Sequence, residues 1–259
     1  MKIFDTHAHY DDERYEKDLH QVIKDNYENG VEKVVNASYD LDSSIKSKEL
    51  ADRFENIYYS IGIHPDSVSE NANEDIQKIE SMIKEYKDNT KLVAIGEIGL
   101  DYHYTKDNKL LQKEYLEKQL ELAIKYDLPV IIHCRDASDD MFHILKDDKY
   151  KNLNLVFHCF QPADAIVNLV IKRKWYIGLG GNITYKRSSH SVDLIKLVPL
   201  DQIIVETDAP YLAPEPVRGT RNESKNIKYV IEKLAEFKGI DIETLQEILY
   251  DNSIKFYRI

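Results

Sequence analysis

Glycine and proline are scarce in this chain, which has 9 and 7 of them in 259 residues, and neither is clustered. Flexible linkers and disordered tails are rich in such residues, so we expect one folded domain over residues 1–259. Long apolar runs are also missing, since the longest, such as 128–132, hold about five residues against roughly 20 in a membrane-spanning helix. The first segment turns polar after four residues, unlike a secretory signal. We therefore expect a soluble, cytoplasmic protein without membrane contact.

Cysteine is nearly absent. The two cysteines, Cys134 and Cys159, each directly follow a histidine, which raises the possibilities of a disulfide, a thiol nucleophile or a pair of soft metal ligands. In a strand, however, neighbouring side chains point to opposite faces, so both thiols face away from His133 and His158. We interpret them as reduced, buried core residues.

Positive charge is in deficit, because the formal net charge is −11. Proteins that coat polyanions usually carry a broad positive surface, so the net charge argues against that class. A few local cations can still bind a phosphate group.

Strongly apolar, β-rich segments recur every 20 to 35 residues, and the stretches between them place apolar residues at helical spacing. In 111–127, for example, Leu116, Leu120, Ala123 and Ile124 fall on one helical face. The pattern predicts eight strands, at 2–6, 31–37, 57–63, 92–97, 129–133, 154–158, 175–179 and 202–206. It also predicts helices at 13–29, 42–54, 75–87, 111–127, 163–172, 224–238, ended by Gly239, and 242–256, the last closing the barrel.

Alternating strands and helices predict an α/β fold with a parallel sheet. The main alternative to a closed barrel is a doubly wound open sheet. Eight units are present, and no G-x-G-x-x-G turn follows the first strand, so we predict a TIM-type (β/α)8 barrel in a single domain.

Metal-binding side chains stand at the ends of most predicted strands. In a parallel barrel all strand C-termini meet at one rim, so residues far apart in sequence become neighbours there. His20, His103, His143 and His190 lie elsewhere and are interpreted as surface residues. The residues at strand ends are Asp5, His7, His9, His64, Glu97, His133, His158 and Asp208.

Two histidines two residues apart, His7 and His9, leave an extended strand on the same face and can chelate one ion. Glu97 can bridge two ions through its two oxygens. His133, His158 and Asp208 complete six protein groups for two ions, which leaves positions open for water and substrate, as in catalytic sites. Such a pair of cations activates water for hydrolysis, and Asp208 is the candidate general base. These ligand types suit Zn²⁺ and Mn²⁺, and the identity of the bound ions stays open.

The motifs of this chain resemble those of the TatD family, in the same order and over nearly the whole length. They are D-T-H-A-H at 5–9, G-I-H-P at 62–65, G-E-I-G-L-D-Y at 96–102, H-C-R-D-A at 133–137, H-C-F at 158–160 and E-T-D-A-P-Y-L at 206–212. The resemblance implies the amidohydrolase superfamily, a barrel fold and a metal-dependent deoxyribonuclease, commonly a 3′ to 5′ exonuclease, with Mg²⁺ among the metals that it uses.

The resemblance also implies roles for single residues. It assigns His7, His9, Glu97 and Asp208 to one metal, Glu97, His133 and His158 to the other, and His64 to the substrate phosphate. The chain departs from the family pattern at Gln161, Pro162 and Ser224. We expect these departures to affect the range of substrates more than metal binding.

The predicted substrate is DNA, as single strands or frayed ends, and no obligate protein partner is predicted. Arg135, Arg218 and Arg221 are candidates for phosphate contact, because a guanidinium group matches phosphate oxygens; ion pairs with nearby acids are the alternative. Two other functions stay open: hydrolysis of a small amide, lactone or phosphoester at the same site, and a binding protein without catalysis. The rim loops at 160–165 and 182–190 should decide between DNA and a small molecule.

Overall fold

A computed structural model of the chain describes residues 2–86, 88–103, 107–186 and 189–259. In this part of the chain, eight strands form one parallel sheet in which each strand pairs with the next in sequence order. The number and order of the predicted strands are confirmed. They are β1 (Ile3–Ala8), β2 (Val31–Asn36), β3 (Ile57–Ile61), β4 (Leu92–Asp101), β5 (Val130–Arg135), β6 (Leu155–Phe157), β7 (Tyr176–Leu179) and β8 (Ile203–Val205).

The sheet closes on itself between β8 and β1. The hydroxyl of Thr6 donates to the carbonyl of Val205 at 2.9 Å, the backbone N–H of Asp208 donates to the carbonyl of His7 at 2.9 Å, and Ala8 and Ala209 form a parallel bridge. The predicted TIM-type (β/α)8 barrel, nearly closed and in a single domain, is thus confirmed, and the open doubly wound sheet is excluded.

Helices surround the barrel, and most of the predicted ones are present. The prediction for 13–29 is corrected to a short 3₁₀ turn at Glu13–Tyr15 and a shorter helix, and 224–226 is likewise a 3₁₀ turn before α8. Gly239 ends α8 as predicted, with φ of 66°, whereas the predicted helix end Lys87 lies outside the described residues. The helices are α1 (Leu19–Glu28), α2 (Leu41–Arg53), α3 (Ala72–Tyr86), α4 (Lys109–Tyr126), α5 (Ser138–Leu145), α6 (Asp164–Arg173), α7 (Ser189–Leu197), α8 (Ile227–Lys238) and α9 (Ile242–Tyr257).

Buried apolar residues form two clusters, one large and one small. The large one lies between the sheet and the helices, and the small one combines residues of seven strands with the end of α9. Because side chains on the two faces of a sheet are separated, this second cluster lies inside the barrel, where α9 packs against it as predicted. Members of the small cluster are Phe4, Val35, Val93, Ala94, Ile131, Val156, Tyr176, Ile204, Phe256 and Tyr257.

Two predictions about burial need correction. Cys134 and Cys159 are not joined in a disulfide, and each is only partly buried, whereas both were predicted to be buried. Ile124 is 47% exposed, although its neighbours Leu120 and Ala123 on α4 are buried. Among the helices of the described part, none is both long enough and apolar enough to cross a membrane.

Candidate metal centre

Strand alternation carries polar side chains to the rim of the barrel. Val156 and Ile131 belong to the cluster of inward-pointing apolar residues, so His158 and His133, each two residues further along, point inward as well. His7 lies inside β1 and His9 just after it, rather than both beyond the strand. Glu97 was predicted at the end of its strand but lies in the middle of β4, which continues to Asp101.

Four donor atoms come together around one point. The Nε2 atom of His7 lies 3.1 Å from Nε2 of His9, 3.2 Å from Oε2 of Glu97 and 3.7 Å from Oδ1 of Asp208. The Nε2 atom of His9 lies 3.3 Å from Oδ1 of Asp208 and 3.8 Å from Oε2 of Glu97. Ligands of a tetrahedral ion with bonds of about 2.0–2.2 Å are separated by roughly 3.3–3.6 Å. The spacing and chemistry of these donors therefore fit a bound divalent cation.

The second oxygen of Glu97 faces a different set of donors. Its Oε1 atom lies 2.7 Å from Nδ1 of His133, 3.3 Å from Nε2 of His158 and 3.5 Å from Nε2 of His64. Since Oε2 faces His7 and His9, the two oxygens of one buried carboxylate point to two donor groups. The structure thus brings all six predicted ligands together, with Glu97 between the groups.

His64 also lies in this cluster, in a group with Glu97 and His133 whose ligand atoms are close enough for an ion. Its Nδ1 accepts the backbone N–H of Asp66 at 3.1 Å, and burial together with the charge of His133 lowers the pKa of His64 to about 3. The neutral ring therefore holds its proton on Nε2. An Nε2–H group can donate a hydrogen bond, and the contact of His64 with the substrate phosphate stays a prediction.

The charges of the cluster are coupled. Although burial lowers the pKa of a histidine, hydrogen bonds and charges of the neighbouring carboxylates raise the pKa of His9 and His133 to about 9 and that of His158 to about 10. The same contacts hold the pKa of Glu97 well below its ordinary value, against the effect of its burial. Without metal, His9, His133 and His158 are therefore imidazolium groups paired with carboxylates, and bound cations would replace their protons.

Two further buried carboxylates, which were not predicted from the sequence, hold the histidines in place. Asp101, at the end of β4, lies 3.0 Å from Nε2 of His133, and Glu206 lies 3.1 Å from Nδ1 of His158. Each contacts the ring nitrogen that faces away from Glu97. A carboxylate at that nitrogen is the usual second partner of a metal-binding histidine. Both stand in the motifs quoted above. For Glu206, the available signal in the sequence was its position two residues after Ile204, which places both side chains on the inner face of the barrel.

Asp5, a buried residue of β1, connects Ser224 to the metal centre. The side chain of Asp5 accepts hydrogen bonds from the hydroxyls of Ser224 and Thr207, both at 2.6 Å, and from the backbone N–H of His7 at 3.3 Å. Burial raises the pKa of Asp5 to about 7. Ser224 therefore supports the strand that carries His7, whereas Gln161 is exposed and Pro162 partly buried in the loop after β6.

The donor cluster opens into a cavity of about 290 Å³. Among the described residues that line it, none is lysine or arginine. The lining residues are His9, Asp12, Tyr39, His64, Asp66, Ser67, Glu97, His133, His158, Asp208 and Tyr211.

The three arginines predicted to contact phosphate lie outside this lining. Arg221 pairs with Asp18 at 2.7 Å and with Glu223, and Arg218 pairs with Glu215, so both have the ion-pair partners considered as the alternative. Arg135 ends β5, and its charge helps to lower the pKa of Asp101. Their contact with phosphate stays a prediction.

The remaining predictions concern the surface. His20, His103, His143 and His190 are exposed, as predicted. Of the two rim loops, 160–165 is described throughout, whereas residues 187 and 188 of the loop at 182–190 lie outside the described residues.

Comparison with known proteins gives full-length matches. A sequence model of the family described as TatD related DNase matches residues 4–258. YabD of Bacillus subtilis, an uncharacterized metal-dependent hydrolase, is 37% identical over 257 residues, which is 99% of either chain. YcfH of Escherichia coli, likewise an uncharacterized metal-dependent hydrolase, is 31% identical and covers 100% of this chain and 97% of its own.

Solved structures agree with these matches. The crystal structure of YjjV, a TatD homolog from Escherichia coli, has a TM-score of 0.89 at 27% identity and covers 99% of this chain and 98% of its own. A TatD family hydrolase from Entamoeba histolytica has a TM-score of 0.87 at 24% identity over the same shares of the two chains, a similarity that concerns the fold alone.

Proposed function

Because the chain belongs to the family of TatD-related DNases, we propose that it hydrolyses phosphodiester bonds at DNA ends, as a 3′ to 5′ exonuclease with two bound divalent metal ions. It is a metal-dependent hydrolase of the TatD type. The proposal adds the substrate, the direction of cleavage and the number of ions. Zn²⁺, Mn²⁺ and Mg²⁺ are the candidates for the ions.

The proposal rests on the position of Glu97, whose two carboxylate oxygens face two different donor groups. Its Oε2 faces His7 and His9, and its Oε1 faces His133 and His158. Two cations held there would lower the pKa of a shared water and neutralise charge on a phosphoryl oxygen.

Asp208 is the proposed general base. Its side chain is 16% exposed at the cavity, so a water molecule can reach it. Hydrogen bonding to His9 and the charge of His158 lower the pKa of Asp208 against the effect of burial, which keeps the carboxylate ionised and able to accept a proton. The proposed role of His64 is to donate its Nε2–H to the phosphate.

The size of the cavity supports cleavage at an end. At about 290 Å³, it lies just below the usual range for ligand pockets, roughly 300–1,000 Å³. A cavity of this size is too small for a duplex. A single strand or a frayed terminus can insert its last nucleotide while the rest of the strand stays outside.

The test uses single-stranded DNA labelled at its 5′ end, and protein reloaded with Mg²⁺, Mn²⁺ or Zn²⁺ after chelation. We expect wild type to shorten the DNA from its 3′ end, and Glu97→Gln and Asp208→Asn to lose at least roughly 100-fold in rate, as general-base catalysis alone contributes. Arg53→Gln, at the exposed end of α2, serves as a control. A metal-loaded wild type that leaves DNA intact would refute the proposal.

The absence of lysine and arginine from the described cavity lining favours a second candidate, the hydrolysis of a small amide, lactone or phosphoester. A metal site of this kind polarises carbonyl and phosphoryl oxygens alike. The same metal-loaded preparation is therefore assayed on small esters and lactones. Turnover there without cleavage of DNA would select this candidate.

A further inference from the structure

Two tyrosines line the cavity beside His9 and expose their rings to it. Tyr39 is 36% exposed and Tyr211 is 47% exposed, and both belong to the lining. Their ring centres lie 5.9 Å and 6.3 Å from that of His9, in edge-to-face arrangements. The rings therefore flank one of the metal-binding residues without being ligands themselves.

The backbones of both tyrosines are held by the segments that carry the site. The carbonyl of Tyr39 accepts the backbone N–H of His64 at 2.8 Å, and the backbone N–H of Tyr211 donates to the carbonyl of Asp208 at 2.7 Å. Asn222 donates to the carbonyl of Tyr211 at 2.8 Å. The backbones of both tyrosines are consequently positioned relative to the donor cluster before any substrate arrives.

Arg14 supports the ring of Tyr211. Its guanidinium carbon lies 4.3 Å from the ring centre, and the guanidinium group is itself held by two hydrogen bonds of 2.8 Å to Asp12. Despite this cover, almost half of Tyr211 stays open to solvent. The remaining surface is an apolar area next to a cluster of ionisable groups.

An exposed aromatic ring next to a candidate metal centre has the chemistry of a stacking site for a planar ring. In a nucleotide, one sugar separates the phosphate from the base. We propose that Tyr39 and Tyr211 form a nucleobase subsite, stacking on a base next to the scissile phosphate. This inference rests on the proposed function and names the part of the substrate that the tyrosines bind. Stacking tolerates every base, so the subsite selects for a base rather than for a sequence.

The experiment compares two single-stranded oligonucleotides that have the same phosphates. One carries bases on its last two nucleotides, and the other has abasic tetrahydrofuran residues in those positions. The values of kcat/KM for the metal-loaded wild type, Tyr39→Ala and Tyr211→Ala are measured on both. Tyr39→Phe and Tyr211→Phe keep the ring, and Tyr27→Ala replaces a tyrosine of α1 that is 66% exposed and lies outside the cavity lining.

We expect wild type to prefer the base-bearing substrate and each alanine variant to lose roughly 5- to 150-fold on it, the range that stacking of one base provides. Activity on the abasic substrate should stay unchanged, and the phenylalanine and Tyr27→Ala proteins should behave like wild type. An alanine variant that does not fold is replaced by leucine, which keeps apolar volume without the ring.

Equal loss on both substrates, or no preference in the wild type, would overturn the subsite while leaving the nuclease in place. A wild type inactive on both substrates would overturn the nuclease proposal, and with it the subsite.

Discussion

Three histidines of the metal centre hold protons that a cation has to displace. The neighbouring carboxylates raise the pKa of His9 and His133 to about 9 and that of His158 to about 10, so each ring is charged at pH 7 in the metal-free protein. A metal binds the neutral ring. We therefore predict that loading at pH 7 releases up to three protons and that metal affinity rises as the pH increases from about 6 to 9. Titration calorimetry in buffers of different ionisation enthalpy counts the protons.

His64 provides the control for this count. Its pKa is lowered to about 3 by burial and the charge of His133, so it has no proton to release at pH 7, and His64→Gln should leave the number unchanged. With ordinary histidine pKa values near 6.5, the three rings together would release about one proton or fewer. That result would contradict the charge pairing derived from the structure.

The carboxylates behind the histidines should control metal affinity. Asp101 contacts His133, Glu206 contacts His158, and each holds a ring with the opposite nitrogen facing the site. We predict that Glu206→Gln and Asp101→Asn each weaken metal binding by about 10- to 100-fold, as loss of such a partner typically does. Competition with a chromophoric chelator measures the affinity without any assay of catalysis. Asp139→Asn, on the exposed side of α5, is the control, and unchanged affinity in both buried variants would argue against the orienting role.

At the scale of elements, the packing of β7 against β8 decides whether Glu206 has room. A Cβ atom on Gly178 would lie 2.3 Å from Oε2 of Glu206, so Gly178→Ala should displace the carboxylate and weaken metal binding like Glu206→Gln. Overpacking of this kind also costs about 1–3 kcal/mol of folding stability. Gly180→Ala is the matched control, because its Cβ would meet nothing closer than 3.5 Å. The prediction fails if the two alanine variants bind metal equally well.

The strands were predictable because each buried strand is a short apolar run between polar stretches. The end of β4 was not, since Gly96 and Gly99 resemble a loop in sequence. In the structure, β4 approaches β5 so closely that a Cβ on Gly99 would lie 1.8 Å from the carbonyl oxygen of His133. Glycine therefore allows β4 to pair with β5 up to its end. This role of glycine can be recognised only when the partner strand is known.

Some features of the helices also could not be predicted from the sequence. The α5 and α7 helices were not predicted, because they have 8 and 9 residues and too few turns for a clear apolar period. Ile124 was placed on the buried face of α4, but it lies about 80° around the helix from Leu116 at 3.6 residues per turn. A position so far from the centre of the face is buried only if a neighbour covers it, and it is 47% exposed.

For the metal centre, convergence of the strands at one rim was sufficient to predict that the six residues meet, although Glu97 lies within β4 and not at its end. The partners behind them were not predictable, because the contact of Asp101 with His133 at 3.0 Å depends on the register between β4 and β5. The arginines show the opposite case. Their type suits phosphate, but Asp18, which is distant in sequence, comes close to Arg221 only through the fold.

At the scale of the whole molecule, stability and chemistry lie at opposite ends of the barrel. The metal centre occupies the C-terminal rim of the strands, whereas Phe256 and Tyr257 of α9 pack into the small interior cluster around Phe4 and Ile204. The hydroxyl of Tyr257 also donates to the carbonyl of Thr6 at 2.7 Å. In such barrels, the end away from the active site serves stability.

We therefore predict that Phe256→Ala lowers the free energy of unfolding by about 3–5 kcal/mol, the usual cost of emptying a buried phenylalanine site, and leaves metal affinity unchanged. Urea unfolding of the metal-free protein, followed by the fluorescence of the buried Trp175, measures the first quantity, and chelator competition below the unfolding transition measures the second. Ile242→Ala removes a side chain of the same helix that is 42% exposed and should change neither quantity appreciably. If Phe256→Ala weakened metal binding as strongly as Glu206→Gln, the two ends of the barrel would be energetically coupled, and the separation inferred from the packing would be wrong.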